Sequence, residues 1–351
     1  MLQHVQKTCP FFSALLCLCT TIKPVKVFIP VKTSSIRPLD VNRDMLAVAA
    51  LIEECFASTL DPDGREYLYH IRRAVEDPAL IRWVWTTDEE VSSPLFGYVW
   101  EEDGRIVGNL TLIPARKGKE WVYIIANVAV HPDYRRRGIA RQLTLRALDH
   151  LRQHHIRSAW LQVREDNPAA HHLYLSVGFA ERSRRALWLS SLPGVRPPHV
   201  PGVRVTGRRW RDWKCQREWL QRTYPSDVRW NLSLSISRFN ANPFYQFVQW
   251  MMGSNQRHWV ARGVGADRKP WGFLSWEHLT SYIQMLWAAT NPAHEEEALM
   301  ALLPRAQQEL AHLHLPLGVN YPASKAEAAF QACGFHLHSV LIWMEYRLEG
   351  E

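Results

Sequence analysis

Three consecutive arginines precede a glycine in the segment Asn127 to Arg141, whose sequence is NVAVHPDYRRRGIAR. The segment predicts a β-strand that runs into a loop and then into a helix. Such a junction directs several backbone N–H groups and a helix N-terminus at one point, which favours binding of an anion. Gly138 lets a phosphate approach the main chain, and Arg135, Arg136 and Arg137 surround it with positive charge. The segment therefore predicts a pyrophosphate-binding loop.

An arginine run is also typical of a solvated face or of a general nucleic-acid patch, so the downstream sequence matters. An amphipathic helix follows the loop, with apolar residues at helical spacing: Ile139, Leu143, Ala147 and Leu151. A strand is predicted next at Ala159 to Val163, and then comes REDNPAAHHLYLSVGF.

These segments resemble the GNAT superfamily of acyl-CoA N-acyltransferases. The resemblance rests on V-A-V-H-P-x-Y-R-x-x-G-x-A, on Asn167 and on L-Y-x-x-x-G-F ending at Phe179, in the family's order and at its spacing. It covers residues from about 34 to 190. It implies an enzyme that transfers the acetyl group of acetyl-CoA to a primary amine by direct attack in a ternary complex.

The resemblance also implies which residues hold the cofactor. Two central strands of the family splay apart, one strand edge binds the pantetheine arm through backbone groups, and a loop binds the pyrophosphate. An N–H group near Val128 would also polarise the thioester carbonyl. The implied cofactor-binding residues are Val128, Ala129, Val130, Arg135, Arg136, Arg137, Gly138, Ile139, Ala140, Arg141 and Asn167.

Two proton transfers accompany the reaction. By its match to L-Y-x-x-x-G-F, Tyr174 would protonate the departing thiolate. A phenol of pKa about 10 can give its proton to a thiolate whose conjugate thiol has a pKa of about 8.5. The alternative for Tyr174 is a core tyrosine on an amphipathic helix.

The base that takes the amine proton is not assigned by the sequence. Enzymes resembling the ribosomal-protein N-terminal acetyltransferases carry a glutamate in the strand before Asn167, and this chain has Gln162, which cannot act as a base. Asn127 stands where many relatives have an acid, and a water held by Asn127, Tyr123 or strand carbonyls would relay the proton. Two weaker candidates for the base are Glu101 and Glu120.

The chain length of 351 residues favours two domains. The predicted fold is mixed α/β, with two tandem GNAT-like domains, each a mostly antiparallel splayed sheet flanked by helices. Residues 34–190 form the predicted catalytic domain, 191–203 a linker rich in proline and glycine, and 204–351 a degenerate second domain. Residues 1–33 are interpreted as a disordered extension or as an incorrectly assigned start, because their apolar run of about 14 residues is too short to span a bilayer.

The second domain repeats the first at low similarity. VAVHPDYRRRGIA corresponds to AATNPAHEEEALM, and AAHHLYLSVGF corresponds to SKAEAAFQACGF. The three arginines become Glu295, Glu296 and Glu297, which would repel a pyrophosphate, and Tyr174 becomes Phe330. The second domain is therefore predicted to act as a scaffold or on the acceptor side. Its many tryptophans are interpreted as core packing or as a substrate wall.

Composition narrows the class of protein further. The net charge of +8 suits coenzyme A and nucleic acid alike. Six cysteines without a paired framework favour a reducing compartment and a cytoplasmic location, and the histidines lack the spacing of a metal site. The leading hypothesis is an acetyltransferase that acts on a small-molecule or peptide amine without a metal, with no membrane partner and with nucleic acid disfavoured. The alternative is a non-catalytic acyl-CoA sensor.

Overall fold

In the computed structural model, the described residues are 34–57, 64–65, 68–69, 71–73, 96–190, 198, 200–232, 234–251, 255–265, 269–278 and 282–348. The predicted extension at 1–33 and most of the predicted linker lie outside them. The sequence also predicts a helix between about Arg65 and Glu76, and part of that segment lies outside the described residues as well. Residues 34–190 are called the first half below, and residues 200–348 the second half.

The first half alternates strands and helices as the sequence predicts. The side chain of Asp40 accepts from the N–H of Asn42 and begins the first helix. Asp103 and Gly104 both have positive φ, at 52° and 78°, and form the tight turn that the Asp-Gly pair predicts. The elements are β1 (Ser34–Pro38), α1 (Val41–Phe56), β2 (Phe96–Glu102), β3 (Arg105–Lys117), β4 (Glu120–Val130), α2 (Ile139–Gln153), β5 (Ser158–Arg164), α3 (Pro168–Val177) and β6 (Ala180–Ser190).

The second half repeats this order of strands and helices. The sequence predicts a helix over Ser324 to Ala332. In the structure this helix begins three residues later, at Glu327, because Ser324 and Ala326 have positive φ, at 60° and 53°. The elements are β7 (Val203–Gly207), α4 (Trp213–Thr223), α5 (Ser226–Arg229), α6 (Pro243–Met251), β8 (Gln256–Gly263), β9 (Pro270–Glu277), β10 (Gln284–Thr290), α7 (Glu295–Leu310), β11 (Leu317–Pro322), α8 (Glu327–Ala332) and β12 (Phe335–Arg347).

All twelve strands form one continuous sheet, in the order β1-β2-β3-β4-β5-β12-β6-β11-β10-β9-β8-β7. The mixed α/β fold is confirmed. From the sequence alone, the segment Arg182 to Leu189 is predicted to be the strand that closes the first sheet, and this prediction is wrong. Strand β12 from the second half lies beside β5, with Trp343 opposite Gln162, and β6 lies beside β11, with Trp188 opposite Val319. The two halves therefore exchange their last strands.

The exchange gives each half a core that contains a strand of the other. Ile342 and Met344 of β12 are buried in the first-half core, where Leu143 of α2 and Leu161 of β5 also lie. In the second half, Trp188 of β6 stacks on Phe330 of α8, with ring centroids 5.0 Å apart. Neither half has a complete apolar core without the other.

We expect Met344→Ala to lower the free energy of unfolding by about 2–5 kcal/mol, because it leaves a cavity in a fully buried site of the first-half core. Leu337→Ala on the same strand is the matched control, since that side chain is 47% exposed, and should cost less than about 1 kcal/mol. Urea denaturation followed by circular dichroism measures both. Equal losses for the two variants would contradict the strand exchange.

A glycine at the same place in each half lets a helix pack closely on the sheet. Gly108 lies opposite Val130, and a Cβ there would stand 2.9 Å from the first side chain of α2. Gly272 lies opposite Thr290, and a Cβ there would stand 2.7 Å from an alanine of α7. Both contacts are shorter than atoms tolerate, so the two halves repeat in the register that the sequence predicts.

Candidate active site

A gap opens between the two central strands of the first half. Strands β4 and β5 run parallel but pair only at Tyr123 with Ala159 and at Ile124 with Trp160. Beyond these pairs β4 continues to Val130 without β5 beside it. One backbone edge of β4 therefore faces the gap and can bond to a ligand.

A β-bulge lies where the two strands separate. The pairing of β3 with β4 shifts by one residue around Asn127, which has a φ of 51°. Asparagine tolerates this left-handed conformation better than most residues do. The buried Asn109 supports it, because its Nδ2 donates to the carbonyl oxygen of Asn127 at 3.0 Å. The bulge bends β4 away from β5 and so widens the gap.

The arginine loop leads directly into the N-terminus of α2. Arg136 and Gly138 both adopt the left-handed region, with φ of 64° and 77°. Gly138 is the N-cap and provides no side-chain cap, and the first intrahelical bond runs from Gln142 N–H to its carbonyl. The first-turn N–H groups of α2 are therefore left for another acceptor. No acidic residue occupies this turn, so the helix dipole favours an anion here.

A cavity of about 710 Å³ joins the strand gap to this loop. Most residues that the sequence proposed as a site line it: Val128, Ala129, Val130, Arg135, Arg136, Gly138, Ile139, Ala140, Arg141, Asn167 and Tyr174. Residues without a sequence prediction complete the wall: Cys55, Phe56, Tyr134, Arg164, Asp166, Ala169, Ala170 and Leu173. Helical spacing places Ala170 and Leu173 beside Tyr174, whereas the contact of Cys55 and Phe56 is tertiary and has no local signal.

Two of the proposed residues do not line this cavity. Arg137 lies over the ring of Tyr134 at 4.7 Å, its Nη2 donates to the carbonyl of Asp133 at 3.2 Å, and its Nη1 is 3.4 Å from Glu102. Arg137 therefore stabilises the loop conformation without lining the cavity. Asn127 contributes the bulge through its backbone, as described above, and its side chain is not part of the cavity wall.

Tyr174 is buried on α3 at the inner wall of the cavity. The side chain of Asn167 accepts from Ala170 N–H at 3.1 Å and starts this helix, and Gly178 ends it in the left-handed region. The Tyr174 ring packs edge-on against Phe179, with centroids 5.8 Å apart. Burial raises the pKa of the phenol above its usual range. The hydroxyl therefore stays protonated across the neutral range, as a proton donor must.

No carboxylate proposed as a base borders the cavity. Glu101 accepts from Arg37 at 2.7 Å and from Arg43 at 3.0 Å near the outer edge of the sheet. Glu120 pairs with Arg157 at 3.0 Å and lies at the tip of the β3–β4 hairpin, where it is paired with Lys117 in the strand register. Asp166 does border the cavity, and the guanidinium of Arg164 holds the pKa of that carboxyl below its usual value. An acid with a lowered pKa is a weak base.

The matching gap of the second half is filled by its own side chains. Strands β10 and β11 pair from Gln284 to Leu286 only. Beyond that point the N–H of Ala288, which corresponds to Val128 in the repeat, donates to the hydroxyl of Tyr224 at 3.2 Å. Tyr224 is fully buried, and Arg185 of the exchanged strand β6 lies 5.0 Å above its ring. A pantetheine arm has no room there while Tyr224 remains.

In the second half, the N-terminus of α7 carries a carboxylate from the chain itself. Glu295 accepts from the hydroxyl of Tyr321 at 2.7 Å and from Thr290 at 3.3 Å. Glu296 and Glu297 follow it in the first turn of α7. Three carboxylates at this end of the helix oppose the approach of a pyrophosphate.

The tryptophans of the second half divide between core and surface. Trp259, Trp276, Trp287 and Trp343 are buried, which fits the core-packing interpretation. Trp210 is exposed, and Trp213 and Trp230 border a separate surface groove.

Within the described part of the chain, no group of three or more His, Cys, Asp or Glu side chains is placed to hold a metal ion. The same part contains no helix that is long and apolar enough to cross a membrane. Its cysteines, Cys55, Cys215 and Cys333, are free thiols.

The sequence model of the acetyltransferase (GNAT) family matches residues 49–179. The match includes the C-terminal half of α1, the gap between β4 and β5, the arginine loop and Tyr174. The segment 49–179 therefore matches the GNAT family of acetyltransferases, and its fold occurs a second time within the same sheet.

Individual relatives agree with this family. The [ribosomal protein bS18]-alanine N-acetyltransferase of Escherichia coli strain K12 is 40% identical over 68 residues, which are 19% of this chain and 46% of that enzyme. The chain thus spans about half the length of the curated relatives it matches. A GCN5-related N-acetyltransferase from Sphaerobacter thermophilus aligns over 90% of this chain and 96% of its own, with a TM-score of 0.55 and 12% identity. A glucosamine N-acetyltransferase region of a fungal multi-domain β-N-acetylglucosaminidase has the same TM-score and identity, over 91% of this chain and 38% of its own. Both structures share the fold.

Proposed function

We propose that this chain is an N-acetyltransferase that binds acetyl-CoA in its first half and transfers the acetyl group to a primary amine. The observation that carries the proposal is one cavity with three features: an uncapped helix N-terminus, four bordering arginines and a buried tyrosine beside an unpaired strand edge. The first two suit a pyrophosphate. The third suits transfer of a proton to a thiolate.

The proposed reaction is direct attack in a ternary complex. The neutral amine forms a bond to the thioester carbonyl carbon, and the carbonyl oxygen becomes an oxyanion that an N–H of β4 near Val128 stabilises. The C–S bond then breaks, and the thiolate takes the phenolic proton of Tyr174. The amine proton passes to water near the bulge at Asn127, because Gln162 cannot accept it. Tyr174 regains its proton from solvent after coenzyme A leaves.

The acceptor is proposed to be a small-molecule amine or the amino group of a peptide or protein. The name of the Escherichia coli relative, which specifies alanine on ribosomal protein bS18, supports a protein amine. The second half is proposed as a scaffold that also borders the acceptor, and the proposed location is the cytoplasm.

A stoichiometry measurement tests the assignment of the cofactor to one half. We expect isothermal titration to give one acetyl-CoA per chain, because Tyr224 fills the second gap and Glu295 occupies the second helix N-terminus. A second saturable site would contradict the proposed division of roles. Failure to bind any acetyl-CoA would contradict the proposal as a whole.

One observation favours a second candidate, an acyl-CoA sensor. The strand before Asn167 carries Gln162, which cannot act as a base, and Glu101 and Glu120 are engaged elsewhere. Release of coenzyme A in the presence of an amine panel separates the two functions. Tight acetyl-CoA binding with no release by any amine, and no effect of Tyr174→Phe, would favour the sensor.

A further inference from the structure

A second, larger concavity of about 980 Å³ lies between the two halves. The tip of the β3–β4 hairpin, at Lys117 and Gly118, borders it on one side. Helix α4 and residues 226–240 border it on the other. It is called the interlobe groove below. None of its lining residues belongs to the acetyl-CoA cavity.

The interlobe groove is cationic. Among the described residues, four cations line it and no aspartate or glutamate does. Lys117 has a carboxylate partner in Asp227 at 3.1 Å, and Arg238 has one in Glu277 at 3.3 Å. The other two, Arg217 and Arg229, form no ion pair with any described carboxylate. Two positive charges in this groove are therefore left for an acidic ligand.

Strand β5 runs from residues that contact the groove lining to a residue of the acetyl-CoA cavity. Ala159, Leu161 and Val163 of β5 point into the core beneath α2 and α3, so Trp160 points to the opposite face. On that face the ring centroid of Trp160 lies 4.3 Å from Lys117 Nζ. The ring also packs edge-on against Trp230, with ring centroids 5.5 Å apart.

Arg164, four residues further along the strand, borders the acetyl-CoA cavity. At the rise of a strand this separation is about 13 Å, the length of roughly four extended residues. The intervening Gln162 is exposed on the same face as Trp160.

We propose that the interlobe groove binds an acidic segment of a polypeptide acceptor whose free amino terminus reaches the acetyl-CoA cavity. This inference rests on the proposed function and specifies its acceptor. The spacing assigns the amino-terminal residue to the cavity and acidic residues about four to six positions later to the groove, where Arg217 and Arg229 pair with carboxylates.

A nucleic acid fits the groove less well than an acidic peptide. A phosphate backbone needs a run of uncompensated cations, whereas two of the four here already have carboxylate partners. Asp227 is also 64% exposed beside the groove and would repel a continuous polyanion.

Two octapeptides with free amino termini test the proposal. One has glutamate at its fifth, sixth and seventh positions, and the other has glutamine there. We expect the glutamate peptide to have a KM lower by about tenfold at low salt, with kcat unchanged. Arg217→Glu should remove that preference, because it replaces an attractive charge by a like charge. Arg204→Glu is the matched control, since Arg204 is an exposed arginine of β7 outside the groove, and it should keep the preference.

Binding of the same peptides with acetylated amino termini, measured by isothermal titration, separates this inference from the proposed function. Acetyl-CoA turnover with equal KM for both peptides would contradict the proposed peptide binding in the groove, and the proposed acetyltransferase function would stand. If the protein binds the glutamate peptide through Arg217 but does not bind acetyl-CoA, the proposed acetyltransferase function would be contradicted. A single-stranded oligonucleotide that binds more tightly than the peptide, with the same dependence on Arg217, would overturn the polypeptide assignment.

Discussion

Replacing Arg136 and Arg141 together by glutamate is expected to weaken acetyl-CoA binding at least about a hundredfold. Both side chains border the acetyl-CoA cavity at the N-terminus of α2. A charge-assisted hydrogen bond contributes about 1.5–3 kcal/mol, and two lost contacts of that size correspond to two or more factors of ten in the dissociation constant. The variant also reproduces in part the three glutamates of α7. Isothermal titration with acetyl-CoA measures the change.

The fold should tolerate this double substitution. Arg136 and Arg141 are exposed, and acidic residues suit the first turn of a helix. Arg204→Glu together with Arg211→Glu is the matched control: it makes the same charge change at two exposed arginines of the second half, and affinity should stay within about threefold because such distant surface charges are screened. The phosphate-loop assignment would be contradicted if the variant at Arg136 and Arg141 kept its affinity for acetyl-CoA while the control at Arg204 and Arg211 lost it.

Tyr174→Phe is expected to lower kcat by about a hundredfold to a thousandfold, the size typical of a lost general acid. The Kd for acetyl-CoA should change less than about twofold, because the substitution removes one hydroxyl and keeps the ring against Phe179. Tyr346→Phe is the control for packing, since Tyr346 contacts Phe179 as well but its hydroxyl bonds to Arg152. Steady-state kinetics with titrated acetyl-CoA separates kcat from affinity. Unchanged turnover in Tyr174→Phe would place the proton donor elsewhere.

The pH dependence offers an independent test of the same tyrosine. Burial raises the pKa of Tyr174, so the acid form that donates the proton persists to higher pH than in a free phenol. The rate should therefore show no alkaline decline from this group below about pH 10. A decline near neutral pH that disappears in Tyr174→Phe would indicate a lowered pKa and contradict the environment seen in the structure.

The strand exchange changes how the roles of the two halves must be tested. Strand β12 supplies Met344 to the first-half core, and β6 supplies Trp188 to the second-half core. A fragment that contains only one half loses a central strand of its own sheet and exposes the edge of another. Point substitutions in the full chain, such as those proposed for Arg136 and Arg141, avoid this problem.

The amino-acid sequence by itself determined the local features of this protein. Asp103-Gly104 predicts its turn, and Asn167 and Gly178 predict the two ends of α3, because backbone preferences act within a few residues. The order of motifs around Gly138 predicts the family and the loop at the helix N-terminus. The pairing of AATNPAHEEEALM with the first half predicts the repeat, which the positions of Gly108 and Gly272 confirm.

Only the tertiary structure decided which distant elements meet. Both β6 and β12 are strands of sufficient length to pair with β5, and the choice of β12 depends on side-chain packing across the whole sheet. The same holds for Cys55 in the acetyl-CoA cavity and for Tyr224 in the second gap. Their contacts join residues far apart in the chain, and the free energy that selects such contacts comes from burial and packing, which no local pattern encodes.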